Sequence, residues 1–230
     1  MRTAILVAAM VVALAAGACG DEDAPVTASD ARFLALGDSY TIGESVREGE
    51  RWPAQLAALL HGDGVAVTEP EYIAKTGWTT DELAAAISRA NPKGPYALVT
   101  LAIGVNNQYR GLGVDEYRTQ FGDLLERAIA LAGGAPGRVV VLSIPDWGVT
   151  PFAAGQDVPR IARELDAFNQ IAMEQAFSRH VAFVDITSVS RQDAQLVARD
   201  GLHPSGAQYA RWAQLALPAA KAALAGESAR

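Results

Sequence analysis

The chain of 230 residues is poor in the groups from which many sites are built: it has one cysteine, three histidines and no excess of basic residues. A single cysteine excludes an intrachain disulfide and a cysteine-based metal cluster. The formal net charge of −7 argues against a nucleic-acid partner, which usually needs a basic face. The motifs Gly-x-Ser-x-Gly, His-Glu-x-x-His and the Walker phosphate loop are absent, so an ordinary α/β-hydrolase elbow, a zinc protease and a nucleotide site lack support. We expect no metal and no cofactor.

Long apolar runs are also scarce, and the exception lies at the N-terminus. Residues 4–16 form an unbroken apolar stretch of 13 residues, whereas about 20 are needed to cross a bilayer. We therefore predict a signal peptide over residues 1–18. The small residues before Cys19 resemble the lipobox of bacterial lipoproteins, in which the cysteine receives the lipid. A plain secretory signal cleaved near Ala18 is the alternative.

The segment after this cysteine is acidic and contains proline and small polar residues. This composition predicts a flexible tether over residues 19–30. The remainder, residues 31–230, shows no linker that would divide it and is predicted to be one domain. The expected location is extracytoplasmic, with the membrane as a partner through the lipid anchor. A secreted or periplasmic protein without the anchor is the alternative.

Strand-like and helix-like segments alternate through this domain. Such alternation predicts an α/β fold in which helices cover both faces of a parallel sheet built from right-handed βαβ units, a three-layer α/β/α sandwich. Residues 105–113 and 144–158 are expected to be irregular loops, and 190–198 a short helix. The five strand-like runs are 33–36, 65–68 (extended by 72–74), 96–103, 138–142 and 181–184.

A serine stands at the exit of the first strand. The apolar run stops abruptly at Gly37 and Asp38, and the hydroxyl of Ser39 follows at once. In open α/β sheets, ligands bind outside the carboxyl ends of the strands. Ser39 is therefore a candidate nucleophile, provided that another part of the chain supplies a base.

The search for that base is short because the chain has three histidines. His61 and His180 lie at predicted helix ends, where exposure or the helix dipole explains them. His203 follows Asp200 by three residues across a glycine turn, which can hold a carboxylate beside one ring nitrogen. An incidental Asp–His pair in a surface turn is the alternative. Acyl transfer needs a nucleophile, a base and a group that orients the base, and Ser39, His203 and Asp200 suit these roles.

Four short blocks, in order along the chain, resemble the SGNH, or GDSL-type, hydrolase family. Two positions depart from the family pattern: Tyr40 replaces a usual leucine, and Asn107 replaces a usual aspartate, which brings the anchoring of its loop into question. The blocks are Gly37-Asp38-Ser39, Gly77 after the second strand, Gly104-Val105-Asn106 after the third, and Asp200 with His203.

The resemblance implies a flavodoxin-like five-stranded sheet of order 2-1-3-4-5 and a carboxylic ester hydrolase that works through an acyl-serine intermediate. It assigns Ser39 as the nucleophile, His203 as the general base and Asp200 as the group that holds the imidazole. It also assigns the oxyanion hole to the backbone N–H groups of Ser39 and Gly77 and the side-chain amide of Asn106. Glycine suits such a role because it lets a backbone N–H approach a ligand closely.

The sequence indicates the reaction more clearly than the substrate. Four aromatic residues lie in loops expected at the active edge, where they either line a substrate pocket or cover the core: Trp78, Tyr109, Trp147 and Phe152. Short-chain acyl esters, lysolipids and O-acetylated sugars are all candidate substrates. Two other functions stay open, an acyltransferase that uses the same triad and a catalytically silent binding lipoprotein.

Overall fold

The computed structural model describes residues 31–225. The predicted signal peptide, the lipidation site at Cys19 and the tether over residues 19–30 lie outside the described residues and stay predictions. Among the helices within residues 31–225, none combines the length and the apolar character needed to span a membrane.

Five parallel strands form one sheet in the order β2-β1-β3-β4-β5, which confirms the predicted fold class and strand order. Strands β1, β3 and β4 are buried along their whole length, because helices cover a parallel sheet on both faces. The strands are β1 Phe33–Gly37, β2 Glu71–Ala74, β3 Leu98–Ala102, β4 Val139–Leu142 and β5 Ala182–Val184.

The helices form two layers. On one face α2 and α8 pack against each other, and on the other α5 packs against both α3 and α6. The fully buried Trp52 and Trp212 belong to the α2 and α8 side of the core. The helices are α1 Ser39–Ile42, α2 Trp52–Gly62, α3 Thr80–Ala90, α4 Val105–Tyr109, α5 Val114–Leu131, α6 Val158–Ser178, α7 Thr187–Gln192 and α8 Gly206–Ala225.

The second strand lies later in the chain than its most apolar stretch suggested. Within residues 65–68, Val67 makes an isolated bridge to Ala31, whereas the strand itself begins at Glu71. Because β2 is an edge strand with half-exposed residues, it lacks the continuous apolar run of a central strand. Pairing with β1 decides its position instead, through contacts such as Leu36 with Ile73.

Two predicted loops and one predicted helix also differ from expectation. Residues 105–113 begin with helix α4, and 144–158 contain two short 3-10 helices. The short helix α7 starts at Thr187 rather than near residue 190. The Ser143 hydroxyl accepts the backbone N–H groups of Ile186 and Thr187, so a residue from the end of β4 stabilises the start of α7. Such a long-range cap leaves no local signal.

Gly37, at the end of β1, lies too close to neighbouring atoms for a side chain to fit. An added Cβ would lie 2.5 Å from the carbonyl oxygen of Ala102 and would also meet the Thr41 hydroxyl. We expect Gly37→Ala to lower the free energy of unfolding by about 3 kcal/mol, because the strand carbonyl cannot move away. Urea unfolding measures this change. Gly49→Ala is the control, since its Cβ would meet nothing within 4 Å, and equal stability of the two variants would contradict the argument.

Candidate active site

Three side chains from two distant segments form one hydrogen-bonded row at the carboxyl edge of the sheet. His203 Nε2 lies 2.9 Å from Ser39 Oγ, and His203 Nδ1 lies 2.7 Å from Asp200 Oδ2. An ionised carboxylate only accepts hydrogen bonds, so Nδ1 carries the hydrogen and Nε2 accepts the Ser39 hydroxyl. The arrangement can therefore move a proton from the hydroxyl to the imidazole.

Ser39 is placed by the turn between β1 and α1. It is the first residue of α1, and Asp38 Oδ1 accepts the backbone N–H of Tyr40 at 3.0 Å. The helix ends at Ile42, and Gly43 caps it with a left-handed φ of 65°, a conformation that glycine adopts without strain. Ser39 thus sits between a buried strand end and a sharp turn.

Asp200 is held by several donors. Its Oδ1 accepts the backbone N–H groups of Leu202 and His203 at 2.9 and 3.0 Å, and its Oδ2 accepts the Ser45 hydroxyl at 2.6 Å. Burial alone would raise the pKa of Asp200, but the hydrogen bonds from Ser45, Leu202 and His203 outweigh it and lower the pKa to about 2. The carboxylate is therefore ionised at neutral pH.

The residues assigned to the oxyanion hole lie around the same cavity as Ser39. Gly77 has a φ of 86°, which favours glycine, and Arg110 donates to its carbonyl oxygen while pairing with Glu82. Asn106 Nδ2 donates to the carbonyl oxygen of Trp78 at 2.9 Å. An amide nitrogen carries two hydrogens, so this contact fixes the Asn106 side chain and uses one of them.

Asn107, which replaces the family's usual aspartate, anchors its loop through hydrogen bonds to Thr80. The side chain is fully buried, its Oδ1 accepts the Thr80 backbone N–H at 3.1 Å, and its Nδ2 donates to Thr80 Oγ1 at 2.7 Å. A neutral amide thus ties the start of α4 to the start of α3. A charge is not required for this anchoring.

The cavity beside Ser39 has a volume of about 160 Å³. Three of the four predicted aromatic residues line it, and Trp78 does not: it is half-buried and packs against the hydrophobic core. Tyr109 and Phe152 are exposed at 57% and 45% and form the rim. The apolar wall consists of Val105, Tyr109, Trp147, Phe152 and Leu202.

Trp147 is the buried aromatic residue of this wall, and polar neighbours fix its position. Its Nε1 donates to Gln108 Oε1 at 2.8 Å, and Gln108 Nε2 donates to Glu164 at 2.8 Å. Asp146 accepts the Gly148 backbone N–H and pairs with Arg191. Neither Gln108 nor Ser45 was identified from the sequence, because their partners are 39 and 155 positions away.

The sheet and the Ser–His–Asp row define a serine hydrolase with a three-layer α/β/α architecture. The family model of the GDSL-like lipases and acylhydrolases matches residues 35–211, more than half of the chain. The chain belongs to this GDSL-like lipase/acylhydrolase family and is thus a serine ester hydrolase.

Solved structures show the same fold at low sequence identity. TesA is 21% identical, with 84% of this chain and 99% of TesA covered and a TM-score of 0.67. Axe2, an acetylxylan esterase from Geobacillus stearothermophilus, is 19% identical, with 84% and 94% covered and a TM-score of 0.64. A lipase/acylhydrolase from Enterococcus faecalis is 16% identical, with 82% and 94% covered and a TM-score of 0.62. Among curated proteins, no sequence matches the chain.

Asp38, next to Ser39 in the chain, is buried, and its pKa is shifted in the opposite direction to that of Asp200. Burial raises its pKa to about 7, although the backbone N–H of Tyr40 acts against this shift. An unfolded aspartate has a pKa of about 3.9, so the unfolded chain releases this proton first as the pH rises. Asp200 has its effect below about pH 4, where protonation removes its stabilising bonds.

We therefore expect the free energy of unfolding to fall as the pH rises from about 4 to about 7, because the folded protein must lose the Asp38 proton that the unfolded chain has already released. The slope from Asp38 should reach up to about 1.4 kcal/mol per pH unit. Asp38→Asn keeps an acceptor for Tyr40 and should remove this slope. Urea unfolding across this pH range measures it. Asp123→Asn, at an exposed position of α5, is the control, and an unchanged slope in Asp38→Asn would refute the assignment.

Proposed function

We propose that the protein hydrolyses carboxylic esters with Ser39 as nucleophile, His203 as general base and Asp200 as the group that holds the imidazole. The observation that carries this proposal is the row of contacts at 2.9 and 2.7 Å between these side chains. Ser39 Oγ attacks the ester carbonyl carbon while Nε2 takes the hydroxyl proton. The same proton then passes to the departing alcohol, which leaves an acyl-Ser39.

Water completes the reaction. His203 Nε2 takes a proton from the water as its oxygen attacks the acyl carbon, and the proton returns to Ser39 Oγ when the acid leaves. We assign the oxyanion of both tetrahedral intermediates to the backbone N–H groups of Ser39 and Gly77 and the amide of Asn106. Their position around one cavity with Ser39 supports this assignment. Loss of one such donor typically costs about 10²–10³ in rate.

Short-chain acyl esters fit this site best among the candidate substrates. The cavity has a volume of about 160 Å³ and an apolar wall. Typical ligand pockets are larger, with volumes of about 300–1,000 Å³. The fixed Trp147 limits the room for a long chain. The exposed rings of Tyr109 and Phe152 offer a surface for the alcohol part, which suits an O-acetylated sugar better than a lysolipid.

Ser39→Ala tests the reaction. With p-nitrophenyl acetate, we expect the variant to lose at least about 10³-fold in kcat/KM, since the nucleophile is removed and binding alone remains. The release of p-nitrophenolate measures the rate. Ser178→Ala, at an exposed position at the end of α6, is the control and should match the wild type. Equal turnover by wild type and Ser39→Ala would remove Ser39 from the mechanism.

Trp147 tests the substrate class. The wild type should prefer acetate and butyrate over octanoate esters of p-nitrophenol, because each methylene that finds no room costs binding. Trp147→Ala should raise the ratio of octanoate to acetate kcat/KM by about tenfold or more. Trp147→Phe provides a milder change should the alanine variant fold poorly.

Phe177→Ala is the control for this experiment, since Phe177 is 84% exposed on α6 and does not line the cavity. It should leave the chain-length preference unchanged. A wild type that prefers octanoate, or a Trp147 variant with an unaltered ratio, would contradict the proposed acyl pocket.

A further inference from the structure

The turn that follows the nucleophile helix contains a serine in an unfavourable backbone conformation. Ser45 has a φ of 66°, in the left-handed region where a Cβ is costly and glycine is preferred. Gly43, two residues earlier, also has a left-handed φ. An outlier of this kind is a reason to ask what its side chain does.

The Ser45 hydroxyl contacts the Asp200 carboxylate. It donates to Oδ2 at 2.6 Å, and this same oxygen accepts His203 Nδ1–H at 2.7 Å. The other oxygen, Oδ1, accepts two backbone N–H groups. Without Ser45, the oxygen that faces the imidazole would have the imidazole itself as its one described hydrogen-bond partner.

Glu44, next to Ser45, connects the same turn to two other parts of the site. Glu44 accepts the Thr76 hydroxyl, and Thr76 precedes Gly77 and lines the same cavity as Ser39. The backbone N–H of Glu44 donates to the carbonyl oxygen of Ser39 at 2.9 Å. One turn therefore links the nucleophile to the histidine loop and to the Gly77 loop.

We propose that Ser45 is a positioning residue that fixes Asp200 Oδ2 against His203 and reduces the negative charge that this oxygen presents to the imidazole. This inference rests on the proposed function of the Ser39 row. A hydrogen bond to a carboxylate stabilises its charged form, so Ser45 and the imidazolium compete for one oxygen. Removal of the hydroxyl leaves the carboxylate less well placed and a stronger partner for the imidazolium.

The charged groups near this turn are Glu44, bound to Thr76, Arg51, which lies beside Gly43, and Arg47, Glu50 and Arg199, which line the groove beside Ser45. Two further titratable groups lie on the helix before the turn: Tyr40, whose ring centroid is 5.2 Å from that of His203, and Asp38, which caps the helix. Within residues 31–225, the hydrogen bonds to the Asp200 side chain come from Ser45, Leu202 and His203. Substitution of Ser45 leaves all of these charges in place. A change in pH dependence is therefore assigned to the hydroxyl.

Three substitutions separate the hydroxyl from the backbone. Ser45→Gly removes the hydroxyl and relaxes the left-handed φ, Ser45→Ala removes the hydroxyl and keeps the Cβ, and Ser45→Thr keeps the hydroxyl and adds a β-branch that the left-handed region disfavours. The backbone effect is read between variants with the same hydroxyl status: Ser45→Gly should be more stable than Ser45→Ala, and Ser45→Thr less stable than the wild type. Kinetics should follow the hydroxyl instead.

With p-nitrophenyl acetate, we expect kcat of Ser45→Gly and Ser45→Ala to fall about 3- to 10-fold with little change in KM, less than the about 10²–10⁴ that general-base catalysis contributes. The acid limb of their kcat profile should move up by about 0.5 pH unit. Ser45→Thr should stay within about twofold of the wild type. The inference would be overturned if Ser45→Gly kept the wild-type kcat and pH profile. It would also be overturned if kcat among the variants rose and fell with their free energies of unfolding.

A second measurement separates this inference from the proposed function. In the resting protein, the low-field ¹H NMR resonance of His203 Nδ1–H should shift and broaden in Ser45→Gly and persist in Ser45→Thr. An unchanged resonance in Ser45→Gly would overturn the inference even if no ester were hydrolysed. Conversely, activity lost in Ser39→Ala but wild-type in Ser45→Gly would leave the hydrolase proposal standing and reject the role of Ser45.

Discussion

The hydrogen bond between His203 and Ser39 joins residues 164 positions apart, and the architecture of the sheet makes it possible. Ser39 follows the interior strand β1, and His203 precedes α8, which packs on β3, β4 and β5. Because the strands are parallel, their carboxyl ends share one edge. The buried core thus holds Ser39 and His203 within hydrogen-bond distance of each other.

Two carboxyl groups near this hydrogen bond illustrate how environment decides charge. Asp200 is partly exposed and accepts several hydrogen bonds, so its pKa lies at about 2. Asp38 is buried beside Ser39, and burial raises its pKa to about 7. The carboxyl group in contact with the imidazole is therefore the ionised one, whereas Asp38 accepts a backbone N–H in the turn that carries Ser39.

Polar side chains outside the Ser39–His203–Asp200 row determine the shape of the cavity and the position of its loops. Gln108 bridges the Trp147 indole and Glu164, and Asn107 ties α4 to α3 through Thr80. Buried polar groups of this kind are costly unless they are paired, so each pairing favours one loop conformation. The apolar wall beside Ser39 depends on these contacts.

Much of the architecture was predictable from the sequence, because apolar strand runs and amphipathic helices carry their own periodicity, and the residues at Gly37, Ser39, Gly77, Asn106, Asp200 and His203 stand in recognisable short blocks. The position of β2, the helix at Val105–Tyr109 and the start of α7 depended on strand pairing or on distant side chains such as Ser143. The contact of Ser45 with Asp200 and the placement of Trp147, but not Trp78, in the cavity wall were likewise decided by tertiary structure. Local sequence encodes propensity and pattern, whereas a contact between residues far apart exists only once the sheet has brought their loops together.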